Sequence, residues 1–177
     1  MKSIIITLLL INTPIPDGAM LRAVKEDISS YSQSLGFKAV VKIKSVSDVI
    51  CQSRYSAWGI YSGSPAQSYY YRKCLERYTK DTYKTLNHAV VPPFLYDGKP
   101  SMGGYSPGCF KYRGGISISA FGAWNYLGSI LALIHEIIHH LNGSHQPGAN
   151  IMNPDAGGLK YTNILETTKK EVNRCLS

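Results

Sequence analysis

The stretch HEIIHHLNGSH, His135 to His145, restricts what this chain can fold into more than any other part of it. An α-helix repeats every 3.6 residues, so His135 and His139, at i and i+4, project from one face and can reach a single ion. Glu136 stands one step around the same turn. It is too displaced to be a comfortable third ligand, but close enough to bond a water held at the metal. Asn142 and Gly143 are residue types that enter the left-handed conformation ending helices, so the chain can turn there and swing His145 back toward the pair. That completes three nitrogens and leaves a fourth position open. The plainer reading, histidines decorating an exposed helix end near the negative pole of its dipole, is assigned to His140, which faces away from the pair.

The motif resembles that of the metzincin metallopeptidases, H-E-x-x-H-x-x-G-x-x-H followed by a Met-containing turn. Here IMNP, Ile151 to Pro154, follows, with Met152 at the Met-turn position. One departure is visible. The family's glycine falls on Asn142, with Gly143 one place late, and Asn tolerates the same backbone.

A chain of 177 residues is the size of one domain and can bury a proper core. The expectation is a single catalytic domain over 1–177. By the resemblance, residues 1–143 form an upper subdomain, and 144–177 a lower one carrying the Met-turn and a C-terminal helix. No apolar run approaches the roughly 20 residues needed to cross a bilayer, and no internal repeat stands out. The N-terminal MKSIIITLLLINTPIPDGAM has the outline of a short secretory signal. It also has the β-branched, continuously apolar character of a strand in the middle of a parallel sheet, and the strand reading is preferred.

Leu21, Val24, Ile28, Tyr31 and Leu35 recur at helical spacing and stop at Gly36, and Lys38 to Val46 then alternates as a strand. Strand, helix and strand with short links make the βαβ unit of a parallel pair. Ser64-Pro65 opens a second helix predicted to run to about Leu86. His88 to Tyr96 and Gly114 to Phe121 read as further strands, and the histidine helix starts at about Gly128.

That order is most similar to the adamalysin branch of the metzincins, in which a segment D-G-x-x-x-G-x-A-x-x-x-x-x-C precedes a strand and the zinc helix. Asp97 to Cys109, DGKPSMGGYSPGC, corresponds to it, with glycine for the usual alanine and a spacing one residue tighter. The resemblance implies an α/β, zincin-like fold. Its twisted five-stranded mixed sheet has four parallel strands and one antiparallel edge strand at about Ser101 to Ser106, packed on helices. Substrate pairs along that edge in the family, which makes Ser101, Met102, Gly103 and Gly104 candidate substrate-binding residues. By sequence alone Gly103-Gly104 reads equally as a flexible loop.

Cys51, Cys74, Cys109 and Cys175 allow three pairings, or could be reduced core residues. The resemblance implies Cys109 with Cys175, which leaves Cys51 with Cys74. Such bonds persist in an oxidising place, so secretion or residence in a lumen is expected, although no convincing signal is present. A net charge of +8 suggests acidic or anionic partners. Its cations are scattered, and Tyr69 to Tyr71 continue a helical pattern rather than a base-stacking platform, which argues against nucleic acid.

These readings converge on a zinc endopeptidase holding one Zn2+ on His135, His139 and His145. A metal-bound water attacks the peptide bond, with Glu136 as general base. The resemblance places Met152 beneath the metal, and Asn153, Pro154 and Asp155 to Leu159 along the pocket for the residue after the cleaved bond. The alternatives are a zinc-containing module that binds peptides or proteins without turnover, and an enzyme acting on a non-peptide amide. Retention of Glu136 speaks against the first.

Overall fold

A computed structural model describes residues 1–55, 65–96, 99–101, 103–154 and 161–177. Its elements are β1 (Lys2–Ile11), α1 (Gly18–Ser34), β2 (Phe37–Val46), α2 (Ile50–Tyr55), α3 (Pro65–Leu75), β3 (Thr85–Val91), β4 (Phe94–Tyr96), β5 (Lys99–Ser101), β6 (Gly103–Tyr105), α4 (Phe110–Arg113), β7 (Ile116–Ala120), α5 (Leu131–His140) and α6 (Glu166–Leu176).

The first strand lies inside the sheet because it is apolar on both faces, with Ile6, Leu8, Leu9, Leu10 and Ile11 at most 1% exposed. It pairs in parallel with β2 and β3, β3 pairs in parallel with β7, and β6 closes the edge antiparallel to β7, giving the order β2-β1-β3-β7-β6. This is the mixed five-stranded sheet expected. Asp17 caps α1 by accepting from the Met20 amide at 2.9 Å, and Gly36, at φ +91°, makes the turn into β2.

Helices cover both faces. Val24 and Ile28 of α1, Ile134 and Ile138 of α5 and Val172 of α6 join Ile6, Leu8, Leu86 and Val90 in the larger core. On the other face Tyr71 and Leu75 of α3 pack with Leu9, Ala89, Ile116 and Ile118. The structure joins Cys51 to Cys74 behind that second layer, and Cys109 to Cys175 across 66 residues of sequence. In the chain-entropy picture a loop of that length stabilises the fold by about 4 kcal/mol.

Three boundaries differ from the sequence reading. The second helix does not reach Leu86: it ends at Leu75, tightens into a 3-10 turn over Glu76–Tyr78 and goes extended at Thr79. Tyr78 donates to Asp48 at 2.6 Å, which anchors the chain to the α2 end while it turns back into the interior. There β-branched Thr85 and fully buried Leu86 serve a central strand. The strand predicted over His88 to Tyr96 is broken at Pro92-Pro93, which offer no amide to a ladder. Ser101 is not on the edge strand. It ends β5, pairing with Phe94 of β4 in a separate two-stranded ribbon, and Met102 lies outside the described residues.

Candidate metal centre

The helix α5 carries His135, Glu136 and His139, with His140 at its end, on a segment whose Leu131, Leu133, Ile134, Ile137 and Ile138 are buried. That burial holds the helix against β3 and β7 and leaves one stripe of its surface for the site. Asn142 takes φ +74°, the left-handed residue that ends the helix. Gly143 is needed for space instead, because a Cβ there would lie 2.5 Å from Ile138 Cγ2. The reversal delivers His145.

The three imidazoles converge. Nε2 of His139 lies 3.0 Å from that of His135 and 3.0 Å from that of His145, and the His135 to His145 separation is 3.3 Å. His135 Nδ1 is 2.7 Å from the Ile151 carbonyl and His139 Nδ1 is 2.6 Å from the Gly143 carbonyl. A carbonyl only accepts, so both rings carry their proton on Nδ1 and turn a bare lone pair inward at Nε2. Burial pushes both pKa values down, that of His139 to about 4, so both rings are neutral at pH 7. Lone pairs gathered at such distances repel unless a cation lies among them. With zinc–nitrogen bonds of about 2.0–2.1 Å, a tetrahedral site has ligand nitrogens about 3.3 Å apart, so the donor set fits zinc.

Glu136 is packed along the edge strand. A Cβ on Gly104 would fall on Glu136 Cγ, Cδ and Oε1, so any larger residue at this position of β6 would push the carboxylate from where it lies. Burial raises the Glu136 pKa to about 8, whereas a cation held by the adjacent histidines favours the charged form. Gly104→Ala is expected to displace Glu136 and lower any turnover by more than about tenfold while the histidines still bind zinc. Kinetics beside metal analysis of the purified variant check this, and unchanged turnover would show that the carboxylate's position is not set by β6.

Glu136, His139 and His145 line an open cavity of about 430 Å³ together with Gly104, Tyr105, Ser106 and Asn142. Among the described residues, Gly103, Asn153 and Pro154 do not line it, and Asp155 to Leu159 lie outside the described part. Met152 is fully buried in the core on the turn whose Ile151 carbonyl receives His135.

Two holding residues escaped the sequence reading. Asn150, 1% exposed, donates to the Gln146, Pro147 and Gly148 carbonyls and accepts from the Met152 amide, so it ties the loop after His145 to the Met152 turn. Glu171 of α6 accepts from both the amide and the hydroxyl of Ser144, at 2.8 and 2.6 Å, and so fixes the residue before His145. Nothing in linear spacing relates α6 to the motif.

His140 is corrected. Far from capping an exposed end as a cation, it is fully buried, with Nδ1 3.0 Å from Ser117 Oγ and Nε2 3.2 Å from the Gly114 carbonyl. His88, also buried, meets the hydroxyls of Ser117 and Ser119 at 2.7 and 2.9 Å. Burial lowers the pKa of His88 to about 3 and of His140 to about 4, from an ordinary 6.5. Below pH 6.5 the unfolded chain takes up protons that these rings refuse, so their contribution to stability is lost as pH falls from about 6.5 toward 4. The melting temperature of metal-free protein is expected to drop across that window, and less steeply in His88→Asn. An identical slope in the variant would mean that His88 is not held neutral.

Solved structures share this architecture, two of them metalloprotease folds of known source. The archaemetzincin of Methanopyrus kandleri superposes with a TM-score of 0.65 at 15% identity, over 98% of this chain and 95% of that one. Metalloproteinase-II from Bacteroides fragilis does so with a TM-score of 0.63 at 13% identity, over 98% of this chain and 53% of that one. The fold is zincin-like. At these identities the likeness is one of fold, and the present chain spans about half the length of the Bacteroides protein. By sequence, no protein-family model and no curated protein matches it.

Proposed function

We propose that this protein is a zinc-dependent endopeptidase of metzincin type, with one catalytic ion held by His135, His139 and His145. The observation that carries the reading is the convergence of three imidazole Nε2 atoms beside Glu136, in a cleft walled by an antiparallel edge strand. A zinc ion there supplies Lewis acidity, lowering the pKa of water toward 7 and polarising the carbonyl under attack.

The chain's own groups do the rest. Among the described residues strand β6 pairs with β7 on one side only, so its other edge offers amides and carbonyls to an extended peptide, which would add as a further strand. Gly104 lets that peptide and Glu136 approach the same place. Glu136 takes a proton from the attacking water and returns it to the leaving amine nitrogen, so water and an amide become a carboxylic acid and an amine. The buried Ile151 and Gly143 carbonyls hold two imidazoles in the tautomer that leaves Nε2 free. From the adamalysin resemblance the reading keeps the edge strand and the cysteine pairing, and it takes residues 144–177 as the lower part of the cleft. Two disulfides suit a secreted protein.

Digestion of a mixed peptide library by zinc-loaded protein, with and without a strong chelator, tests the proposal. Chelator-sensitive cleavage within peptide chains is the expected result. Peptides retained but never cut would instead favour a binding module, and an intact library with no retention would overturn both.

A further inference from the structure

Strand alternation sends Gly104 and Tyr105 of the edge strand to opposite faces of the sheet. Gly104 registers with Ser119 on the α5 side, where Glu136 lies, and Tyr105 registers with Ile118, which packs on the α3 side. A peptide added along β6 alternates in the same way, so the residue opposing Tyr105 points toward α3. What stands there is a second cavity, of about 270 Å³, lined among others by Arg72, Lys73, Glu76, Pro107 and Arg113. The strand's continuation separates the two cavities, with Ser106 and Gly108 lining the metal cleft and Pro107 the other.

The charges in this second cavity are unbalanced. Lys73 is spent on Glu76 at 3.2 Å. Neither Arg72 nor Arg113 forms an ion pair among the described residues. The Arg72 guanidinium lies 5.1 Å over the Tyr105 ring, and its Nε is buried without a hydrogen-bond partner. A half-buried cation stripped of water is costly unless an anion meets it, and a guanidinium fork matches a carboxylate. Burial disfavours its charge more than Tyr105, Glu76 and Tyr69 favour it.

We infer that Arg72 and Arg113 form an acid-recognising subsite, taking the carboxylate of an Asp or Glu a few residues from the cleaved bond of an extended peptide. Resting on the reading of β6 as the substrate edge, it gives the excess positive charge of the chain a specific use. The substrate class is then acidic peptides.

Zinc-loaded protein should be offered peptides that differ only by Glu, Gln or Lys, scanned through each position around the cleavage site. At one position Glu is expected to be favoured over Gln by about tenfold in kcat/KM, with Lys worst. That ratio should collapse toward unity in Arg72→Gln/Arg113→Gln, survive in Arg72→Lys, and be unmoved by Lys80→Gln, which removes a charge elsewhere. A flat scan, or a preference that persists in the double variant, would overturn the subsite. Fluorescence anisotropy of the same peptides on metal-free protein gives a second readout. If nothing is cleaved, the peptidase reading falls, while Arg72-dependent binding of the Glu peptide still supports the subsite and equal binding of Glu and Gln peptides removes it.

Discussion

Glu136→Gln is expected to keep its zinc and lose at least about a hundredfold in turnover. The amide preserves the shape that Gly104 accommodates and retains hydrogen-bonding groups, so packing along β6 should survive. On the proposed mechanism, what is lost is the capacity to accept a proton from water and hand it to the leaving amine. Metal analysis alongside kcat on a cleaved library peptide separates the two effects. Near-normal hydrolysis by this variant would remove Glu136 as the base even with zinc in place. Zinc loss in step with activity would recast Glu136 as a structural partner of the site.

His139→Ala should fail differently. His139 is the ring whose Nε2 is nearest to both others, at 3.0 Å, and it also ties α5 to the turn through the Gly143 carbonyl. Its removal leaves two ligands, too few to hold zinc against a competing chelator. Zinc stabilises the folded form in proportion to the logarithm of its concentration over Kd, about 4 kcal/mol at a thousandfold excess. The variant should therefore lose both the metal and the rise in melting temperature expected of the wild type with zinc. A His139→Ala protein that held one equivalent of zinc through dialysis and melted like the parent would exclude this ring as a ligand.

Much of the architecture was legible because period and register are local properties. The continuous apolar run at β1, the 3.6-residue recurrence in α1 and the alternation in β2 each follow from which faces must be buried, and a βαβ unit leaves few topologies open. The path from Leu75 to Thr85 was only half legible: the Thr, Tyr and Asp residues of YTKDTYKTL are weak helix formers that argue for an earlier helix end, but nothing in it shows that Leu86 belongs at the centre of a sheet. Burial of Leu86 and the Tyr78 bond to Asp48 fix where that extended path runs, and both depend on partners remote in sequence.

At the site the division is equally physical. Placing His135 and His139 on one helical face, with Glu136 beside them and a left-handed residue at Asn142, needs only helix geometry and the conformational preference of Asn, so the sequence determined that much by itself. Only the tertiary structure decided what surrounds them. It laid Gly104 against the Glu136 carboxylate, brought Glu171 of α6 to Ser144, and turned His140 inward to Ser117 rather than out to solvent. Each of these contacts joins segments more than twenty residues apart, and their distances are set by how the sheet, α5 and α6 pack, which no local periodicity encodes.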